Sequence, residues 1–160
     1  MTSMTSRRVA VITGGASGIG RAIGAALVAR GATVVLADID AEGAELAAKR
    51  LTAAGPGTAV AIELDVTDGP AMVAAYQDVH DRHGRLDFAF NNAGIAVAGL
   101  AEDLTLEHWD RSIDVNLRGV VHGLHAAYPL MLAQGHGHIV NTASVAGLLA
   151  PPIMTPYTAT

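Results

Sequence analysis

Two hydroxyl-bearing residues near the end of the chain have the types and spacing for proton chemistry. Ser144 closes the run Asn141-Thr142-Ala143-Ser144, and Tyr157 follows it by 13 residues. Moving a hydride off a secondary alcohol requires a group that accepts the hydroxyl proton. It also requires a donor that steadies the developing oxyanion. A tyrosine and a serine held about 3 Å from one oxygen can fill those roles. The other chemistry open to Ser144 is nucleophilic attack from a strained elbow, but Gly-x-Ser-x-Gly occurs around neither Ser144 nor Ser17. Asn116 is a third polar residue of interest, because it interrupts an apolar helix-like segment for which asparagine is a poor former.

The opposite end of the chain carries an anion-binding pattern. The apolar run Val9-Ala10-Val11-Ile12 leads into Thr13-Gly14-Gly15-Ala16-Ser17-Gly18-Ile19-Gly20 and then into helix-like sequence. Glycines let such a turn approach a ligand closely, and the amides opening the next helix suit a pyrophosphate. The spacing is Gly14-x-x-x-Gly18-x-Gly20, not the G-x-G-x-x-G fingerprint, and no Gly-Lys-Ser/Thr follows to make a P-loop. Asp38 lies 18 residues beyond Gly20, at the end of the next apolar run. An acid about 20 residues past a dinucleotide fingerprint accepts hydrogen bonds from the adenosine ribose. The same carboxylate repels a 2′-phosphate, and no lysine or arginine lies between Gly14 and Gly20 to counter it. NAD is therefore expected over NADP.

These residues need a frame that brings both ends of the chain together. The chain has 160 residues, enough for one domain with a core, and is 51% hydrophobic and 16% charged. A net charge of −5 with no basic cluster argues against nucleic acid. The apolar stretches are too interrupted for a membrane span, and the first residues lack the apolar core of a secretory signal. With no cysteine there is no thiolate metal site, and a soluble cytoplasmic protein is expected. His122, His125, His136 and His138 lack carboxylates at ligand spacing, so no metal is expected.

Apolar runs at residues 9–12, 33–37, 59–64, 86–90 and 138–142 predict strands. Between them, helices are predicted at residues 19–29 and 41–54, from an Asp68 cap to about residue 83, and from a Thr105 cap to about residue 133. Continuous apolar strands alternating with helices indicate a parallel sheet covered on both faces. On the long helix, Ile113, Leu117, Val120, Leu124 and Met131 form one apolar stripe, and Val121, Tyr128 and Leu132 another. One stripe is expected to cover the sheet and the other to need a partner.

In order and spacing, Thr13-Gly14-x-x-x-Gly18-x-Gly20, Asp65-Val66, Asn91-Asn92-Ala93-Gly94, Asn116, Ser144 and Tyr157 resemble the short-chain dehydrogenase/reductase family, over residues 8–160. The resemblance implies an α/β fold, a Rossmann-like doubly wound parallel sheet of about five strands in order 3-2-1-4-5. It implies cofactor contacts from Gly14, Ser17, Gly18, Ile19, Gly20, Asp38, Asp65, Val66, Asn92, Ala93 and Gly94, with Asp65 on the adenine amino group and Asn92 on the adenosine side. Tyr157 would be the acid/base and Ser144 the group orienting the substrate oxygen. Asn116 would disturb its helix and hold a water in the proton relay. The implied substrate is a small alcohol or ketone, and the long helix would pack on its counterpart in a homo-oligomer.

The family's active site continues as Tyr-x-x-x-Lys, and Tyr157-Thr158-Ala159-Thr160 supplies the tyrosine and the three intervening residues. The missing lysine binds the nicotinamide ribose and lowers the tyrosine pKa. A truncated chain is therefore expected, inactive by itself. Strand five would be an exposed apolar edge, and Tyr157, without its helix, would lie in a fraying end. Residues 1–7 are expected to be disordered. The competing expectation is a dinucleotide-binding module that senses or scaffolds without turnover.

Overall fold

A computed structural model describes residues 8–160; the expectation for residues 1–7 lies outside them. Strands β1 (Val9–Thr13), β2 (Thr33–Asp38), β3 (Thr58–Glu63), β4 (Phe88–Asn91) and β5 (His138–Asn141) form one sheet, all parallel, in order β3-β2-β1-β4-β5. This is the doubly wound order that the resemblance implies. β1 is buried along its whole length, as its unbroken apolar run requires.

Successive residues of the central strands serve opposite faces. Val9, Val11, Val35 and Ala37 enter one core with Met72, Tyr76 and Val79 of α3 (Gly69–His83) and Ala126, Ala127 and Met131 of α5 (Gly119–Gln134). Ile12, Val34 and Leu36 enter the other core, beneath α1 (Gly18–Val28) and α2 (Ala41–Ala54), with Val28, Ala47 and Ala48. Aspartates start two of these helices. The Asp40 carboxylate accepts from the Gly43 amide and that of Asp68 from the Ala71 amide, both at 2.9 Å. Such caps are worth about 1 kcal/mol each.

Among the described residues, two buried polar atoms of the sheet core lack a partner, the Tyr76 hydroxyl and the Asn91 Oδ1, and one ion pair lies at its edge. Tyr76 is fully buried, its hydroxyl has no partner among the described residues, and burial pushes its pKa up. At the amino ends of the strands, Asp87 accepts from the Val9 amide at 2.7 Å and from the Arg85 Nε at 2.7 Å. Burial raises the Asp87 pKa, but the bonds from Arg85 and Val9 and the nearby charges outweigh it and hold the carboxyl below its ordinary value. β4 starts two residues later than its apolar run because Leu86 pairs with a side chain. Gln134 accepts from the Leu86 amide and donates to its carbonyl.

The single helix expected over residues 105–133 is divided. α4 (Leu106–Ser112) and α5 are joined by a π-helical segment, Ile113–Arg118, which contains Asn116. Such widened turns are frequent at functional positions. The expected sheet-facing stripe is also corrected. Met131 of that stripe is buried, but Leu117 and Leu124 are exposed, and α5 buries Gly119, Gly123, Ala126 and Ala127 in their place. The reason is distance. A Cβ on Gly123 would fall 1.9 Å from the Asn91 Oδ1, and one on Gly119 would fall 2.8 Å from the Val66 Cγ2. The helix approaches too closely for larger side chains. Val121, Tyr128 and Leu132 are exposed, as is most of β5, the edge strand of the described sheet.

The segment after β5 places Tyr157 in a helical turn, which corrects the expectation that it is without a helix. A short 3₁₀ turn (Val145–Gly147) leads to α6 (Thr155–Thr158), one helical turn that carries Tyr157. Pro156 is buried, and Ser112 of α4 donates to its carbonyl at 3.2 Å.

Candidate functional site

The connections from β1 turn one way across the sheet and those from β4 the other, so a crevice opens between these strands at their carboxyl ends. Ligands of open α/β sheets bind at such a point. Here a cleft of about 1040 Å³ is lined by Gly14, Ser17, Gly18 and Ile19 after β1, by Asp38 after β2, and by Asp65 and Val66 after β3. Asn92, Ala93 and Gly94 line it after β4, with Asn116, Ser144 and Tyr157 at the far end. Thus thirteen of the fourteen residues singled out from the sequence share one cavity.

Gly20 is the exception. It does not line the cleft, and its role is packing. A Cβ there would sit 2.2 Å from the Gly14 carbonyl oxygen and 2.7 Å from the Asn92 Nδ2. Its bare backbone lets α1 start directly against the turn. Gly14 itself has a φ of +66°, the left-handed conformation that favours glycine.

The turn is held to the β4 end by Thr13, a residue the sequence placed in the motif without a role. Thr13 is 2% exposed, and its hydroxyl accepts from the amides of Asn92 (2.9 Å) and Ala93 (3.1 Å) and donates to the Phe90 carbonyl (3.2 Å). Asn92 returns the link by donating to the Thr13 carbonyl at 3.0 Å, and its Oδ1 accepts from the Thr142 hydroxyl at 3.1 Å. One hydroxyl therefore ties β1, β4 and the Asn92-Ala93 backbone into one wall. Asp38 accepts from the Ala16 amide of the glycine turn (2.9 Å) and from the Asp40 amide (3.0 Å). Its carboxylate is both a turn brace and part of the cleft wall. Asp65 is braced similarly, accepting from the amide and hydroxyl of Thr67 at 2.9 and 2.8 Å.

At the other end the π-helical segment aims Asn116 at the loop after β4. Its Oδ1 accepts from the Ile95 amide (2.9 Å) and its Nδ2 donates to the Ile95 carbonyl (3.0 Å), a side chain closing a pair of backbone groups. The same Nδ2 lies 3.1 Å from the Thr160 hydroxyl and 3.4 Å from that of Ser112. Ser144 accepts from the Ala146 amide at 3.1 Å, which leaves its hydroxyl hydrogen available to donate elsewhere.

Besides Thr13, sequence reasoning missed Ser112, which is fully buried and connects Asn116 to the turn carrying Tyr157. The available signal was a serine one helical turn before Asn116 on an apolar segment. Arg111 was also missed; it adds the one cationic side chain among the residues that line the cleft. Among the described residues, no group of three or more His, Asp or Glu is placed to hold a metal ion, and no helix is long and apolar enough to cross a membrane. His122 bonds to the Val66 carbonyl, His136 lies 3.7 Å from the Asp87 carboxylate, and His138 stacks on Phe88.

The sequence profile of the short chain dehydrogenases matches residues 8–160, and the chain belongs to that family of oxidoreductases. It is 39% identical over 160 residues to the cyclohexanol dehydrogenase of Acinetobacter sp. (strain SE19), an alignment covering 99% of this chain and 63% of the relative. It is 39% identical over 149 residues to the levodione reductase of Leifsonia aquatica, covering 92% of this chain and 56% of the relative. Among solved structures, a short chain dehydrogenase/reductase from Burkholderia phymatum in complex with NAD superimposes with a TM-score of 0.91 at 39% identity, covering 96% of this chain and 55% of the other. The chain thus spans less than two thirds of the length of these proteins.

Proposed function

We propose that the protein to which this chain belongs is an NAD-dependent oxidoreductase that interconverts a secondary alcohol and its ketone. The observation that carries this reading is the cleft itself, which joins a close-approach glycine turn and a ribose-type carboxylate, Asp38, to Asn116, Ser144 and Tyr157. The cyclohexanol dehydrogenase and levodione reductase relatives, and the NAD complex of the B. phymatum protein, support it.

The residues present fit a dinucleotide. The glycine turn leaves the backbone bare where a Cβ would block close approach, and the adjacent helix start suits a pyrophosphate. Gly14, Ser17, Gly18 and Ile19 would hold the pyrophosphate, Asp38 the adenosine ribose, and Asp65, Val66, Asn92, Ala93 and Gly94 the adenosine side. Bound NAD would supply a hydride acceptor. Tyr157 would take the proton from the substrate hydroxyl, and Ser144 would donate a hydrogen bond to the same oxygen and stabilise charge as it develops. Asn116 keeps the Ile95 loop and the turn carrying Tyr157 in register, and with a bound water would extend the proton path. The exposed face of α5, with Val121, Tyr128 and Leu132, is the surface for a second copy.

Calorimetric titration of NAD and NADP tests the cofactor reading. NAD should bind more tightly, and Asp38→Ala should narrow the gap. Tighter binding of NADP to the unaltered chain refutes the role of Asp38. Turnover of secondary alcohols by the whole protein, followed by NADH absorbance, should be lost in Tyr157→Phe. NAD binding with no turnover across a panel of alcohols and ketones would favour the non-catalytic binding module.

A further inference from the structure

The loop after β3 forms the cleft wall at Asp65, Val66 and Thr67, and most of its hydrogen bonds stay within itself. Thr67 bonds to the Asp65 carboxylate, the Asp68 amide donates to the Asp65 carbonyl at 3.1 Å, and Asp68 caps the helix that follows. Such bonds shape the turn but do not set its position relative to the opposite side of the cleft. A polar bond to another element does. The His122 Nδ1, on α5, lies 2.8 Å from the Val66 carbonyl oxygen. A carbonyl only accepts, so Nδ1 carries the hydrogen and donates, which fixes the ring's tautomer whenever it is neutral.

The fit around this ring is close. A Cβ on Gly69 would meet the His122 Nε2 at 3.1 Å and Cδ2 at 3.2 Å. One turn earlier on the same helix, Gly119 admits the Val66 side chain, whose Cγ2 would lie 2.8 Å from a Cβ there. The loop therefore rests on α5 at a bare glycine and is secured beside it by one imidazole. His122 does not line the cleft, so it acts through Val66.

We propose that His122 is a positioning residue for the cofactor, fixing the Asp65-Val66-Thr67 wall at the adenine end of the cleft. This rests on the reading of the cleft as a dinucleotide site. His122→Leu removes the donor and leaves the buried Val66 carbonyl unpaired, whereas His122→Asn restores an amide N–H close to the position of Nδ1.

The test titrates NAD and AMP separately into the whole protein and both variants by calorimetry, and follows backbone amide exchange of residues 65–67 by NMR. In His122→Leu both ligands should bind about five-fold more weakly, the effect of one lost hydrogen bond. The exchange of residues 65–67 should quicken while that of α5 is unchanged. His122→Asn should bind both ligands within about two-fold of the unaltered protein, by the same reasoning. Unchanged affinity or unchanged exchange in His122→Leu overturns the proposal, as does an equal loss in the two variants. If the unaltered whole protein binds neither NAD nor AMP, the dinucleotide reading itself fails, and this inference with it.

Discussion

Replacing Thr13 by valine keeps the shape of the side chain and deletes one hydroxyl, so it isolates what that oxygen does. Thr13 is 2% exposed, and its hydroxyl is the acceptor for two amides, Asn92 at 2.9 Å and Ala93 at 3.1 Å. In Thr13→Val both amides lose that acceptor in a place water scarcely reaches. A buried donor left unsatisfied costs about 1–3 kcal/mol, so with partial relaxation the pair amounts to roughly 2–4 kcal/mol. That is a large share of the 5–15 kcal/mol typical of a folded protein. Urea denaturation followed by the fluorescence of Trp109, the single tryptophan, gives the readout. With m near 2 kcal/mol/M, the midpoint should fall by roughly 1–2 M with m unchanged. Thr13→Ser keeps the hydroxyl and loses only a methyl, so it should fall by roughly half a molar, from about 1 kcal/mol of lost burial. Equal shifts in the two variants, or a valine shift below about 0.25 M, would refute the view that this hydroxyl joins the walls of the cleft.

Ser112→Ala, which removes the bond to the Pro156 carbonyl, should lower kcat of the whole protein about ten-fold through misplacement of Tyr157 while leaving the Kd for NAD unchanged; a change in Kd alone would place Ser112 outside the catalytic end. Asp87 has a folded-state pKa below its unfolded value, so its stabilisation is fully present above about 3.9 and is lost as pH falls through the folded value. Denaturation midpoints measured from pH 7 down to pH 3 should therefore decline less steeply in Asp87→Asn than in the unaltered chain; parallel curves would contradict this. Tyr76→Phe removes a buried hydroxyl with no partner among the described residues, so Tm should stay level or rise, by up to about 1 kcal/mol in stability. A clear fall in Tm would mean that the hydroxyl has a partner.

The sheet, its order through the family resemblance, and about half of the residues that line the cleft were legible in the sequence, because each was marked by a local pattern. Unbroken apolar runs mark buried parallel strands, glycines at fixed offsets mark the close-approach turn, and polar residues ending strands mark the carboxyl edge. Contacts between residues far apart in the chain carry no such local mark. Thr13 reads as one more β-branched residue until β4 is laid beside β1, and Ser112 as an interruption until α6 docks on it. Gly20 matches the motif perfectly, yet it faces the turn backbone rather than the cleft, because the direction of a side chain is set only when α1 is placed. The stripe assignment on the long helix failed at Leu117 and Leu124 for a related reason. Hydrophobic periodicity favours the largest apolar residues as the buried face, whereas the distance of α5 from Asn91 and Val66 admits only Gly123 and Gly119. Residue type and spacing determined which elements form and which groups gather at their ends. Interhelical distance and three-dimensional hydrogen bonding, properties of the packed chain alone, decided which of those groups face the cleft and which hold it in shape.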